Sequence, residues 1–158
     1  MPDFYARKMK MRTSIGLLTM LSILAAAALR ADEWQTNYEK ALATAKAENK
    51  RVLLDFTGSD WCGPCISLKK NVFTQPEFLE YAAKNLILVE VDYPRRKVLP
   101  DDVKAQNERL MKQYGIEDKG FPTIIVLGPD GKSLGEFSGY RGEGPADFIA
   151  KLEKLRGS

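Results

Sequence analysis

Val52-Leu53-Leu54-Asp55-Phe56 is a nearly continuous apolar run, the pattern of a strand covered on both faces. Leu86 to Val91 and Thr123 to Leu127 repeat it, predicting two more strands. Between these runs the apolar spacing changes to that of a helix. Trp34, Tyr38, Ala41, Leu42 and Ala45 share one face and predict a helix from Trp34 to Glu48. Pro76 opens a helical piece through Phe78, Leu79 and Ala82 to Lys84. Asp101 to Tyr114 has acids in its first turn, a predicted buried stripe of Val103, Leu110 and Tyr114, and Gly115 as its stop. Gly128-Pro129-Asp130-Gly131 is turn chemistry, so Lys132 to Ser138 returns as a hairpin partner. Pro145 opens a last helix that buries Phe148, Leu152 and Leu155. Strands alternating with helices, with no internal repeat and no linker, predict one α/β layer sandwich.

Ahead of these elements lies a different kind of segment. Thr13 to Leu29 is uncharged, follows a cationic stretch and runs into small residues. That is the three-part pattern of a secretory signal. Residues 1–31 are therefore expected to be a cleavable leader, cut after Ala28 or Ala31, with Met9 or Met11 as alternative starts. An uncleaved membrane anchor is the alternative, because an uncharged run of 17 residues lies at the lower limit for crossing a bilayer. Residues 32–158 then form one exported domain, periplasmic or secreted.

Charge and composition narrow the chemistry. The net charge of +3 comes from the leader, which holds Arg7, Lys8, Lys10, Arg12 and Arg30 against Asp3. From Asp32 onward 19 basic groups face 20 acidic ones, so nothing in the charge balance argues for nucleic-acid binding. The chain has no histidine, which excludes Ser–His–Asp hydrolysis, Cys–His proteolysis and HExxH zinc chemistry. Two cysteines alone do not complete a structural zinc site, so no metal is expected.

Those two cysteines, Cys62 and Cys65, form a C-x-x-C between a strand and a predicted helix start at Pro64. The first turn of a helix carries free N–H groups and the positive end of the macrodipole, which favour a thiolate. Lowering a thiol from about 8.5 to about 7 raises its ionised fraction about fifteen-fold at neutral pH. Reduced nucleophilicity takes most of that back, leaving about three-fold. The larger effect is on redox poise and on Cys62 as a leaving group. Cys62 is expected to be the accessible attacking sulfur, and Cys65, a turn further in, the resolving one. A structural bridge is the bland alternative, weakened because so short a loop restrains the unfolded chain little.

WCGPC after LLDFTGSD, with GFPT some sixty residues on, resembles the thioredoxin superfamily across Asp32 to Arg156. VLLDFTGSDWCGPC and NVFTQPEF are similar to exported thioredoxin-like proteins and to the C-terminal domain of the bacterial transmembrane thiol–disulfide transporter. The resemblance implies a three-layer α/β/α sandwich around a central mixed sheet of four to five strands. It implies that Pro122 is a cis-proline facing the disulfide, with Phe121 on the backbone that pairs with a bound peptide. Thioredoxins more often carry a smaller residue there. Asp55 matches the buried aspartate that assists proton transfer at the inner cysteine, and burial would raise its pKa. Thioredoxins have one residue fewer between this aspartate and the first cysteine, and commonly a lysine nearby on the next strand, which Leu86–Val91 lacks. A strand-end aspartate bonding local backbone stays open as the other reading. Trp61 is expected to flank the disulfide as a docking surface, with a core aromatic as the alternative. Asp60 reads as a solvated loop acid or as a charge opposing the thiolate, and Arg95-Arg96-Lys97 as charges that could steer acidic partners or, by default, as a wet loop without assigned function.

The expectation is an exported, monomeric thiol–disulfide oxidoreductase that needs no cofactor. Trp61, Gly63, Pro64, Phe121 and Pro122 would hold a protein disulfide or dithiol substrate against Cys62. Gly63-Pro64 resembles thioredoxin's reducing pair, so reduction or isomerisation is favoured, with a membrane-borne redox partner supplying electrons. An oxidant of the same fold and a non-enzymatic binding or chaperone module are the alternatives.

Overall fold

The computed structural model describes residues 34–156, so the leader assigned to residues 1–31 lies outside the described residues. The elements are α1 (Tyr38–Glu48), β1 (Arg51–Thr57), α2 (Gly63–Leu68), α3 (Pro76–Asn85) and β2 (Leu86–Asp92), then α4 (Asp101–Gln113), β3 (Thr123–Leu127), β4 (Ser133–Ser138) and α5 (Pro145–Lys154). A π-helical turn, Lys69–Phe73, continues α2, and a short 3-10 turn, Ile116–Asp118, follows α4. The apolar runs anticipate neither turn.

The four strands lie in the order β2-β1-β3-β4. β1 pairs parallel with β2, antiparallel with β3, and β3 makes an antiparallel hairpin with β4. Every residue of β1 is buried, as its unbroken apolar run predicts for a central strand. Alternate β1 residues feed opposite cores. Val52, Leu54 and Phe56 pack with Ala41, Ala45 and Leu110 from α1 and α4. Leu53 packs on the other face with Leu68, Phe73, Phe78, Phe148 and Leu152 from α2, its π turn, α3 and α5. The result is the expected three-layer α/β/α sandwich with a mixed sheet.

Three local expectations need correction. The first helix starts at Tyr38, not at Trp34. Asn37 caps it by accepting from the Lys40 N–H at 2.8 Å, and Gln35 instead bridges the outer edge of β2 beside Val89. That single-residue bridge is all that the described residues hold of a fifth strand. In α4 the fully buried pair is Asn107 and Leu110, while Val103 and Tyr114 are only half-buried. A polar Asn107 is tolerated there because its amide donates to the Asp92 carbonyl at 2.9 Å. Leu155 lies just past the end of α5 and is half-buried.

The core below the α2 face is aromatic. Phe148 meets Phe73, Phe78 and Phe137 edge-on at centroid distances of 5.4, 5.9 and 5.3 Å. Phe148 is 1 % exposed, so its removal leaves a cavity rimmed by rings that cannot all move in. Phe148→Ala is expected to lower the unfolding free energy by about 3–5 kcal/mol, read by urea denaturation followed by circular dichroism.

Candidate active site

The site is built where β1 ends and α2 begins. Gly58 breaks the strand, and its carbonyl accepts from the N–H groups of Trp61 and Cys62 at 3.2 and 2.9 Å. This tight turn needs glycine for a spatial reason. A Cβ at position 58 would meet the Trp61 indole at 2.5 Å. The indole has little room to yield, because its N–H donates to the Tyr93 carbonyl at 2.8 Å and the Arg95 guanidinium lies 3.9 Å from its centroid.

Cys62 and Cys65 are disulfide-bonded, with Cα atoms 5.3 Å apart. Cys62 is the N-cap of α2, and its Sγ accepts from the Cys65 N–H at 3.3 Å. One of the free N–H groups of the helix start thus points at the outer sulfur, as the helix-terminus argument requires. The expectation that exposure separates the two cysteines is corrected. In this oxidised form Cys62 is 5 % and Cys65 4 % exposed. Capping draws the outer sulfur back over the first turn, so position and not exposure distinguishes the pair. The open rim is formed by Gly63, Pro64 and Ile66, the last 47 % exposed.

Phe121-Pro122 is a cis peptide, as the resemblance implied. The β1–β3 register places Thr123 opposite Phe56, so Pro122 enters β3 at the end of β1 from which the cysteine turn springs. Phe121 is half-buried, packs edge-on against Trp61 at 5.9 Å and lies tilted against Tyr93 at 5.3 Å. Trp61 itself is half-buried, so it is not a core aromatic.

Asp55 sits in the middle of β1, 5 % exposed, paired in register with Glu90 on β2 and Ile124 on β3. Its Oδ1 has no hydrogen-bond partner, so the reading of a strand-end aspartate bonding local backbone does not hold. Burial pushes its pKa up to about 8, repulsion from Glu90 and Asp92 adds to that, and Lys69 opposes it. Glu90 and Lys69 are site residues that the apolar reading of the strand passed over. Lys69, on the π turn after α2, reaches Glu90 at 2.8 Å. The available signal was one acid in an otherwise apolar strand, given meaning only by the parallel register.

Asp60 is not simply a solvated acid. Its carboxylate accepts from the backbone N–H groups of Arg95, Arg96 and Lys97 at 2.9, 2.7 and 3.2 Å, and these bonds hold its pKa below the ordinary range. Asp92, 3 % exposed, takes the Ser59 N–H at 2.9 Å and the Ser59 hydroxyl at 2.6 Å. The segment with one residue more than thioredoxins is therefore pinned at two consecutive positions, Ser59 to the end of β2 and Asp60 to the loop after it.

A buried C-x-x-C disulfide at a helix N-terminus, with a cis-proline at the same end of the sheet and a buried aspartate in the strand leading into it, is equipped for disulfide exchange. The family model for the thioredoxin-like domain matches residues 38–156, and the chain belongs to that family. It is a thioredoxin-fold thiol–disulfide oxidoreductase with Cys62 and Cys65 in C-x-x-C spacing. The chain is 34% identical over 127 residues to the disulfide bond reductase DsbH of Chlamydia pneumoniae, covering 78% of this chain and 74% of that protein. A solved structure of a DsbH oxidoreductase superposes with a TM-score of 0.71 at 32% identity, over 78% of this chain and 83% of that one. The chain is also 35% identical over 114 residues to the thiol:disulfide interchange protein DsbD of Pseudomonas fluorescens. That match covers 72% of this chain and 17% of that much longer protein.

The raised pKa of Asp55 has a consequence for stability. The folded carboxyl holds a proton between about pH 4 and pH 8 that the unfolded one releases, so stability falls as pH rises through that window. Asp55→Asn removes this slope. The variant is expected to melt at least about 5 °C higher than wild type at pH 8 and close to wild type at pH 4, measured by calorimetry on the oxidised protein.

Proposed function

We propose that this protein is an exported reductase or isomerase of protein disulfides, with Cys62 as nucleophile and Cys65 as resolving thiol. The Cys62 thiolate attacks one sulfur of a substrate disulfide, forming a mixed disulfide and releasing the other substrate sulfur as a thiolate. Cys65, having lost its proton, then attacks Cys62, frees the second substrate thiol and closes the Cys62–Cys65 disulfide. Two electrons pass to the substrate. A dithiol donor, proposed to be carried by a membrane protein, restores the reduced pair by the same exchange in reverse.

The junction of β1 and α2 carries this reading: the Cys62 sulfur caps the helix, with Asp55 buried in the strand that leads into it. Asp55 is proposed as the group that takes the proton from Cys65. A carboxyl with a pKa near 8 and an unpartnered oxygen exchanges protons near the pH at which a thiol ionises. Gly63, Pro64, Trp61, Phe121 and Pro122 are proposed to seat an extended stretch of substrate. The exposed Gly63-Pro64 rim and the Trp61–Phe121 contact support that assignment. The reducing direction is supported by the Gly63-Pro64 pair and by the name of the Chlamydia relative, a disulfide bond reductase. Export, and with it a periplasmic location, rests on the leader pattern of residues 1–31.

A glutathione-buffered redox titration tests the direction. A reduction potential closer to about −270 mV than to about −120 mV is expected, and a value at the oxidising end would reverse the assignment. Cys62→Ser is expected to abolish disulfide turnover, while Cys65→Ala accumulates mixed disulfides on non-reducing gels. Asp55→Asn should slow product release from the mixed disulfide about a hundred-fold near neutral pH and leave its formation much less affected, resolved by single-turnover kinetics. Turnover undiminished in Cys62→Ser would leave only a binding module.

A further inference from the structure

We infer that the loop Tyr93–Val98 is a recognition surface for acidic polypeptide flanking the disulfide that Cys62 attacks. The inference rests on the proposed function and adds a substrate class to it.

Arg95, Arg96 and Lys97 are consecutive, exposed cations in a domain whose residues from Asp32 onward carry a net charge of −1. Their backbone is not free. All three N–H groups are taken by the Asp60 carboxylate, so the segment is fixed against the turn that carries Trp61 and Cys62. With the backbone donors turned inward onto Asp60, the side chains are left to solvent. Among the described residues neither arginine makes an ion pair, and Lys97 stands 3.7 Å from Asp92.

Arg95 lies 3.9 Å from the Trp61 centroid. Stacking orders the guanidinium while leaving its edge donors open, a geometry suited to two-point recognition of a carboxylate. The cation is thereby held over the residue that immediately precedes Cys62. An acidic side chain close to a substrate cysteine would meet Arg95 as the sulfurs approach, and more distant acids would meet Arg96 and Lys97. The surface also has apolar features that suit a polypeptide rather than a small anion. Val98, 92 % exposed, ends the loop, and Ile66, 47 % exposed, stands on α2 behind the cysteines. These are the large exposed hydrophobic residues among those described, and they sit on the two elements joined at the site.

The test uses the full-length protein, recycled by dithiothreitol, on three synthetic peptides with the same disulfide flanked by glutamates, glutamines or lysines. At low salt kcat/KM is expected to favour the acidic peptide over the neutral one by about ten-fold and to disfavour the basic one. The preference should vanish at about 1 M salt, where the Debye length is about 3 Å. Replacing Arg95, Arg96 and Lys97 together by glutamine should bring the acidic-to-neutral ratio close to one, mainly through KM. Asp60→Asn, which keeps the cations but loosens their anchorage, should lower the ratio by less. The salt dependence of wild type needs no variant and stands even if one misfolds. Turnover of all three peptides at equal rates would overturn the inference and leave the proposed function intact. So would an equal loss on all three in the triple variant. Wild-type binding to anionic lipid vesicles without any preference among peptides would assign the patch to a lipid surface, and the inference would fall. No turnover of any peptide would bring down the inference and the proposed function together.

Discussion

The N–H of Cys65 donating to the sulfur of Cys62 makes the redox pair part of the secondary structure. A helix start always leaves N–H groups without partners, and here a sulfur accepts one of them. The reactive group is therefore set by backbone geometry more than by any side-chain conformation. Everything upstream serves that placement. The strand β1 must be buried and straight to aim the turn, Gly58 must lack a side chain to let Trp61 fold back, and α2 must begin within a few residues. Burial of both sulfurs in the oxidised form follows from the same geometry, because the cap folds the outer sulfur over the first turn.

The surroundings of the pair divide into two sets of constraints. Below it, on the α2 side of the sheet, Asp55 is buried with its Oδ1 lacking a hydrogen-bond partner. Such a group costs stability at alkaline pH, and its role as the proposed proton acceptor is the reason offered for a fold to retain it. Glu90 and Lys69 extend this acid toward the surface: Asp55 is buried, Glu90 mostly so, and Lys69 half in solvent. Above it, Arg95, Trp61, Phe121 and Tyr93 contact one another in that order, tied down by the Tyr93 carbonyl and by Asp60. In the proposed function the lower set handles protons and the upper one meets the substrate.

The extra residue between Asp55 and Cys62 acquires a physical account from these contacts. A longer turn at this point would ordinarily loosen the position of the first cysteine. Ser59 and Asp60 prevent that by fastening the turn to the end of β2 and to the loop beyond it. In doing so they place three cations beside the disulfide, a juxtaposition that neither segment has alone.

Local chemistry made much of this molecule legible before any coordinates. Three apolar runs named β1, β2 and β3, a glycine-rich turn named the hairpin, and C-x-x-C between strand and helix named the reactive pair. These features depend on neighbours a few residues apart, and so on rules of period, turn and cap that a chain carries in its order. The start of α1, the buried Asn107, and the Asp55–Glu90 and Asp60–Arg95 relations were not legible in that way. Each joins positions 15 to 35 residues apart, or sets a helical pattern against the edge of a sheet, and strand register or loop docking decides it. Whether Asp60 is a wet acid or a clasp is settled by what stands across from it, and only the folded chain brings Arg95 there.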